Sequence, residues 1–241
     1  MKRISVLIIT GLLMISSIPV SVLASSDADD AQRNEIIGLF GSVLVPSIFS
    51  SAKSEKLAGS IYGRTITGEG EVPDFSGYIK GKIDSYQIYI NGRIGGFGAT
   101  IGFGQGNEFE FSQPLILSVD YKIGLLDDTP ILDAAIDAQY TMIYLPNEKT
   151  IKVSAPGFGV ASINGLVGAD LLMIEPYAGI TVNYVYLDSE EKLYTVWKAI
   201  PKLGLKLKLL PFLSIGGELA YIINETLNDS WVWNFGASVR F

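Results

Sequence analysis

From Leu57 to Phe241, apolar and polar side chains alternate with a period of two, the repeat of extended strands whose two faces meet different surroundings. The last stretch shows it best. Trp231, Trp233, Phe235, Ala237, Val239 and Phe241 fall on one face, and Asn234, Gly236, Ser238 and Arg240 on the other. The pattern predicts strands over about 57–66, 75–83, 86–94, 97–105, 114–125, 131–145, 157–173, 177–187, 199–210, 212–223 and 231–241. The breaks hold turn chemistry: Gly68 to Pro73, Gly95-Gly96, Gly104 to Asn107, Asp127 to Pro130, Pro146 to Lys149, Glu175-Pro176, Asp188 to Glu191, Pro211, and Asn224 to Asp229.

Ahead of the strands the period changes. Met1-Lys2-Arg3 is basic, Ile4 to Ile15 is apolar, and small residues follow to Val22-Leu23-Ala24. This is the layout of a secretory signal over residues 1–24, with cleavage expected after Ala24. Residues 25–56 read as a polar leader and an amphipathic segment. Ser25 to Glu35 is acidic and polar, and Ile36, Ile37, Leu39, Phe40, Val43 and Leu44 then recur at helical spacing. A short helix starting near Asp29 or Asp30 fits, because acidic residues in a first turn complement the helix dipole and Pro46 ends it. A strand over 41–49 is the competing reading, and Lys53 to Lys56 reads as a linker. No later run is apolar for the roughly 20 residues that a spanning helix needs.

Sorting the strands by parity separates two surfaces. One carries Leu115, Leu117, Val119, Tyr121 and Ile123, then Leu132, Ala134, Ile136, Ala138, Tyr140 and Met142, then Leu203, Leu205, Leu207 and Leu209. The other carries Ser118, Asp120 and Lys122, then Asp133, Asp137, Gln139 and Thr141, with Thr181, Asn183, Lys202, Lys206, Lys208, Glu218 and Arg240. A soluble secreted sandwich or lipid-binding barrel would turn the apolar surface inward. Here, however, the apolar surfaces end in aromatics, Tyr140 with Tyr144, Tyr184 with Tyr186, and Trp231 with Trp233, as interfacial girdles do. The polar surfaces hold small residues (Gly98, Gly102, Gly216, Gly236) that suit a crowded interior. Behind an export signal, the pattern favours a strand-built barrel facing lipid, the closed form that satisfies its backbone hydrogen bonds inside a bilayer. A composition of 48% hydrophobic and 18% charged residues, with 26 Gly, 12 Tyr and 11 Phe, suits one all-β body better than a helical one.

The final strand, with Trp233, Phe235, Val239 and a terminal Phe241 on one face, resembles the C-terminal signal strand by which outer-membrane β-barrel proteins of Gram-negative bacteria are recognised for assembly. Ile174-Glu-Pro-Tyr-Ala-Gly179 and Leu210-Pro-Phe-Leu-Ser-Ile-Gly-Gly-Glu218 resemble the periplasmic turn and rising strand of small barrels of that class. The resemblance implies an all-β, antiparallel up-and-down transmembrane β-barrel over 57–241, of ten to twelve strands, with a short N-terminal helical segment. It implies residence in the bacterial outer membrane, with outer-membrane lipid and the outer-membrane assembly machinery as partners. It also places Phe241 at the periplasmic side and turns the loops at 104–113, 146–156, 188–197 and 224–230 outward. Eleven strands would start Leu57 at the outer face. Three arrangements repair this: 75–94 as one strand, 41–49 as a twelfth strand, or 29–50 climbing through the lumen.

The chain has no His and no Cys, which removes imidazole-dependent hydrolysis, His metal sites, disulfides and a lipid-bearing cysteine. A net charge of -7 argues against nucleic acid. No catalytic residue, cofactor or metal site is expected. Asp27, Asp29 and Asp30 read as a solvated leader, and Gly102-Phe-Gly-Gln-Gly106 as a strand end rather than a phosphate-binding loop. The candidate residues are the charges predicted to line the lumen: Asp120, Lys122, Asp133, Asp137, Asp170, Lys202, Lys206, Lys208, Glu218 and Arg240. They either neutralise one another across the bore or form a constriction that selects ions or small solutes. The functions in view are a passive pore, an envelope-structural role or a surface interaction. The alternative is a transporter for a small or hydrophobic solute in which the N-terminal segment is a plug.

Overall fold

A computed structural model of the chain describes residues 28–47, 57–74, 77–106, 114–126, 131–144, 153–189, 193–223 and 229–241. The expected signal over 1–24, its cleavage after Ala24 and the linker at 53–56 lie outside these residues. The chain divides into two compact units, Met1–Gln32 and Arg33–Phe241. The first is described only in the opening turn of helix α1 (Ala28–Leu44), and the second holds the rest of α1 and all ten strands.

The strands are β1 (Leu57–Asp74), β2 (Gly77–Ile94), β3 (Phe97–Gly106), β4 (Leu115–Gly124), β5 (Leu132–Tyr144), β6 (Val153–Ala169), β7 (Ile174–Ser189), β8 (Leu193–Leu210), β9 (Leu213–Ile222) and β10 (Ser230–Arg240). Each pairs antiparallel with its chain neighbour, and β1 pairs with β10 from Ala58↔Arg240 to Thr67↔Trp231, so the sheet closes on itself. Closure removes every edge from the wall. Leu57 lies at the same end as Phe241, whose N–H bonds the Leu57 carbonyl at 2.8 Å. The odd strand is resolved because 77–94 runs unbroken, giving ten strands and no twelfth. The segment expected as a strand over 41–49 is helical to Leu44, with Pro46 two residues beyond.

Several expected breaks are strand instead. Gly68 to Pro73 continues β1, because β2 runs opposite it rung for rung up to Asp74↔Gly77. Pro73 lies on a part of β1 that, among the described residues, pairs with β2 alone, the edge setting in which strands accept proline. Glu175-Pro176 lies inside β7, and the turn falls earlier, at Leu172-Met173, closed by reciprocal bonds between Leu171 and Ile174. Leu172 adopts φ 48°, a left-handed conformation unusual for a side chain of its size. The loop expected at 188–197 shrinks, because β8 begins at Leu193 opposite Asp188. Gly95-Gly96 does form the β2–β3 turn, with Gly95 at φ 59°.

Parity sorts the wall as a closed barrel requires. Along β4, Leu117, Val119, Tyr121 and Ile123 are 40–59% exposed, while Ser118, Asp120 and Lys122 between them are 4–5% exposed. The outward face carries two aromatic belts. Phe97, Tyr121, Phe212 and Phe241 lie near the Phe241 end, and Tyr86, Tyr140, Tyr144, Trp197, Trp231 and Trp233 lie towards the other. Tyr184 packs against Trp197 with ring centres 4.8 Å apart, and Tyr221 against Trp231 at 4.5 Å, the rings tilted by 45° and 43°. Between the belts the exposed face is largely aliphatic, with Ile88, Ile90, Val119, Ile163, Ile180 and Leu203, and also carries Phe103 and Phe235. Trp231 to Phe241 covers about 33 Å of strand, which at a tilt of about 40° gives an apolar band about 25 Å tall.

At the end opposite Phe241, β1 and β2 continue past the described parts of their neighbours. β10 stops pairing at Thr67 and β3 at Ser85, yet the β1–β2 ladder continues from Gly68↔Ile83 to Asp74↔Gly77. These seven rungs make a two-stranded ribbon about 23 Å long beyond the last described rungs of its neighbours.

Candidate functional site: the lumen and its helix

Inside the barrel, in the half away from Phe241, lies α1 from Asn34 onward. Leu44 and Val45 join a buried cluster with the inward-facing Tyr62, Tyr89, Ile116, Ile143, Phe158, Val160, Val185 and Leu187. Leu39 and Val43 join a second cluster with Ile66, Ile200, Ala220, Ile222 and Val232. Wall strands whose inner face is apolar would be unstable around water; here the inner face is matched to a helix. The fit is close. A Cβ on Gly38 would lie 2.7 Å from Val196 Cγ1, and one on Gly41 would overlap the Val185 side chain.

Polar groups of the wall then bond side chains along the helix and the carbonyls at its C-terminal end. At its N-terminal side Lys198 Nζ donates to Glu35 Oε1 at 3.1 Å and to the Ile223 carbonyl at 3.2 Å. Asn183 Nδ2 donates to Ser42 Oγ at 3.3 Å. At the C-terminal side the last carbonyls of a helix have no partner within the helix, and the wall supplies donors. Arg64 Nη1 donates to the carbonyls of Val43 and Val45, Tyr89 Oη to that of Leu44 at 3.1 Å, and Gln139 Nε2 to that of Pro46 at 3.2 Å. Ser47 Oγ donates to Glu218.

Below the helix end is a polar layer. Arg64 Nε donates to Asn234 Oδ1 at 2.7 Å, and Asn234 Nδ2 to Glu218 Oε1 at 3.0 Å. Glu218 also accepts from Tyr177 at 3.1 Å and lies 3.8 Å from Lys202 Nζ. A cavity of about 30 Å³ remains here, lined by Ser42, Pro46, Arg64, Asn164, Asn183 and Lys202 among others. At about 10–15 Å³ per water it holds about two. Asn164 Nδ2 and Asn183 Oδ1 on its wall are buried with no protein partner, so such waters have a donor and an acceptor waiting.

Nearer the Phe241 end the charges predicted for the lumen are mostly buried. Asp120 and Asp137 both meet Arg93, the second at 3.3 Å, and Arg93 also donates to the Gly96 carbonyl at 2.9 Å. Lys208 pairs with Asp170, and Arg240 lies 3.8 Å from Glu175. Lys122, Asp133, Lys202, Lys206 and Glu218 are buried, while Asp170, Lys208 and Arg240 are partly exposed. The ten predicted residues do not form one ring: Lys202 and Glu218 sit under the helix, and the others lie in the layers towards Phe241. Arg64, Arg93, Glu175, Lys198 and Glu35 were absent from the prediction. Parity alone puts Arg64 beside Tyr62 and Ile66 and Arg93 beside Tyr89, but their largely apolar company hid the inner face. Gly102-Phe-Gly-Gln-Gly106 is largely the end of β3, and Gly102 is required because a Cβ would reach the Tyr89 ring at 2.5 Å. Among the described residues no cluster of carboxylates is arranged to hold a metal ion. Trp233, Phe235, Val239 and Phe241 all lie on the outward face of the β10 edge of the chain.

No protein-family model matches the sequence, and no curated protein matches it either. Solved structures similar to the fold include an outer-membrane channel from Pseudomonas putida F1, at 7% identity and TM-score 0.47 over 82% of this chain and 99% of that one. They also include the NanC porin, at 14% identity and TM-score 0.46 over 76% of this chain and 100% of that one. The β-domain of the Bordetella autotransporter BrkA is similar at 12% identity and TM-score 0.45, over 76% of this chain and 100% of that one.

Proposed function

We propose that this chain is a bacterial outer-membrane barrel whose resting state does not conduct, because its own N-terminal helix is docked in the lumen as a plug. Membrane residence is supported by the two aromatic belts about 25 Å apart and the largely aliphatic face between them, a surface that water would penalise and lipid would not. The Phe241 end faces the periplasm in this reading, and the outward aromatics of β10 serve assembly. Docking rests on one observation above the others: the carbonyls of Val43 to Pro46, at and just beyond the C-terminal end of α1, accept hydrogen bonds from Arg64, Tyr89 and Gln139 of the wall. A segment merely trapped in a bore would not have its backbone satisfied by side chains from three separate strands. The wall charges listed above as lumen candidates neutralise one another in this state and become a path for ions only when the plug leaves. Planar-bilayer recording tests the reading. The intact chain is expected to be silent, and the chain lacking residues 28–47 to conduct; steady conductance by the intact chain would refute the plug.

A surface-interaction role is favoured by a separate observation, the β1–β2 ribbon that continues past the described parts of its neighbours at the end turned outward in this orientation. Shortening it by residues 70–81 should leave assembly intact and abolish any cell-surface adhesion the protein confers.

A further inference from the structure

The buried cation Arg64 has no directly bonded counter-ion of the kind buried charges ordinarily need; the carboxylate of its layer, Glu218, reaches it only through Asn234. Arg64 is 5% exposed, and among the described residues it bonds no carboxylate. Its partners are the Val43 and Val45 carbonyls, the Asn234 amide oxygen at 2.7 Å, and the face of Tyr89, whose ring centre lies 5.2 Å from Cζ. The other buried guanidinium of the wall, Arg93, bonds Asp120 and Asp137. What stands opposite Arg64 is the negative end of the α1 dipole, delivered as two carbonyl oxygens. Beside those oxygens the Leu44 and Val45 side chains fill a pocket of Tyr62, Tyr89, Ile116, Ile143, Phe158 and Val160, with Tyr62 and Tyr89 stacked at 4.9 Å. The end of the helix thus presents two oxygens on one side and an apolar body on the other, which is the outline of an aryl or alkyl carboxylate.

We infer that Arg64 and its aromatic neighbours form a binding site for a small organic anion with an apolar body, and that α1 occupies this site as a built-in ligand. A free carboxylate offers two oxygens to a guanidinium with a full charge in place of half of one, so it has the stronger claim on Arg64. The pocket is pre-formed, so the ligand and the helix end compete for one place, and binding shifts the chain towards the unplugged state by mass action. The described inner wall agrees in sign. Arg64, Arg93, Lys122, Lys198, Lys202, Lys206, Lys208 and Arg240 outnumber Asp120, Asp133, Asp137, Asp170, Glu175 and Glu218, although the whole chain carries -7.

The inference rests on the plug reading, and the experiment separates the two. The chain has no Cys, so Ser42→Cys places the only thiol on the lumenal helix. In lipid vesicles its labelling by a water-soluble maleimide reports how often the helix leaves. Labelling should be slow alone, rise at least about tenfold and saturably with benzoate, and respond to neither benzylamine nor benzyl alcohol. Adding Arg64→Ala should remove the benzoate response, while Arg64→Lys, which keeps the charge and guards against misfolding, should retain part of it. Slow labelling that ignores benzoate, or responds equally to the amine or alcohol, or keeps its response in a folded Arg64→Ala chain, would overturn the anion site and leave the plug standing. Fast labelling without any ligand would overturn both.

Discussion

The Glu35–Lys198 pair decides how firmly the upper part of the helix is held. Both side chains are buried, so their attraction is not diluted by solvent as a surface pair's would be, and loss of one partner removes a buried charge–charge contact from the other. Glu35→Lys should therefore destabilise the docked helix and produce bursts of conductance in planar bilayers. The double exchange Glu35→Lys with Lys198→Glu should restore silence. In a double-mutant cycle on docking stability the pair should show a coupling of about 1–3 kcal/mol. No coupling would mean that the helix is held by packing alone. Neither residue stands out in the sequence: Glu35 ends an acidic leader, and Lys198 follows Trp197, an outward girdle residue, at an inward position that only the register of β8 reveals.

At the level of elements, the helix depends on two glycines that let it approach the wall. Gly41→Leu should expel α1, because the added side chain meets Val185 of β7 where even a Cβ has no room. The variant should assemble normally and conduct; pairing Gly41→Ala with Val185→Ala should recover silence, because the wall then yields the volume the helix gains. If Gly41→Leu stays silent, the helix does not seat against β7. The strands were largely legible in the sequence because β4, β5, β9 and β10 each face lipid on one side and polar side chains on the other. β1 and the upper parts of β6 and β7 were harder to read, since Tyr62, Ile66, Val160 and Val185 face an apolar helix and the alternation fades. The 68–73 break was misplaced for a different reason. Gly, Glu and Pro signal a turn within one segment, but the fully paired partner strand from Tyr78 to Ile83 overrides that signal.

For the whole molecule, the proposed plug implies a barrel that is closed at rest and anion-preferring once open. Parity could suggest charges in the lumen, but which charge meets which follows from the curvature and register of the closed wall, which bring Arg93 of β2 to Asp137 of β5 and Arg240 of β10 to Glu175 of β7. In the barrel freed of residues 28–47, exchanging Lys202, Lys206 and Lys208 for Glu should swing the reversal potential towards cations. An unchanged potential would show that these three do not border the conducting path. The most direct measurement is a cross-link. With no native Cys to interfere, the Gly41→Cys, Val185→Cys pair brings Cβ positions 3.2 Å apart, within reach of a disulfide after a slight adjustment. In native outer membranes under mild oxidation this pair should close nearly completely in the folded protein, and the locked form should be silent under every ligand. A folded barrel whose two cysteines stay free would contradict a helix resident in the lumen.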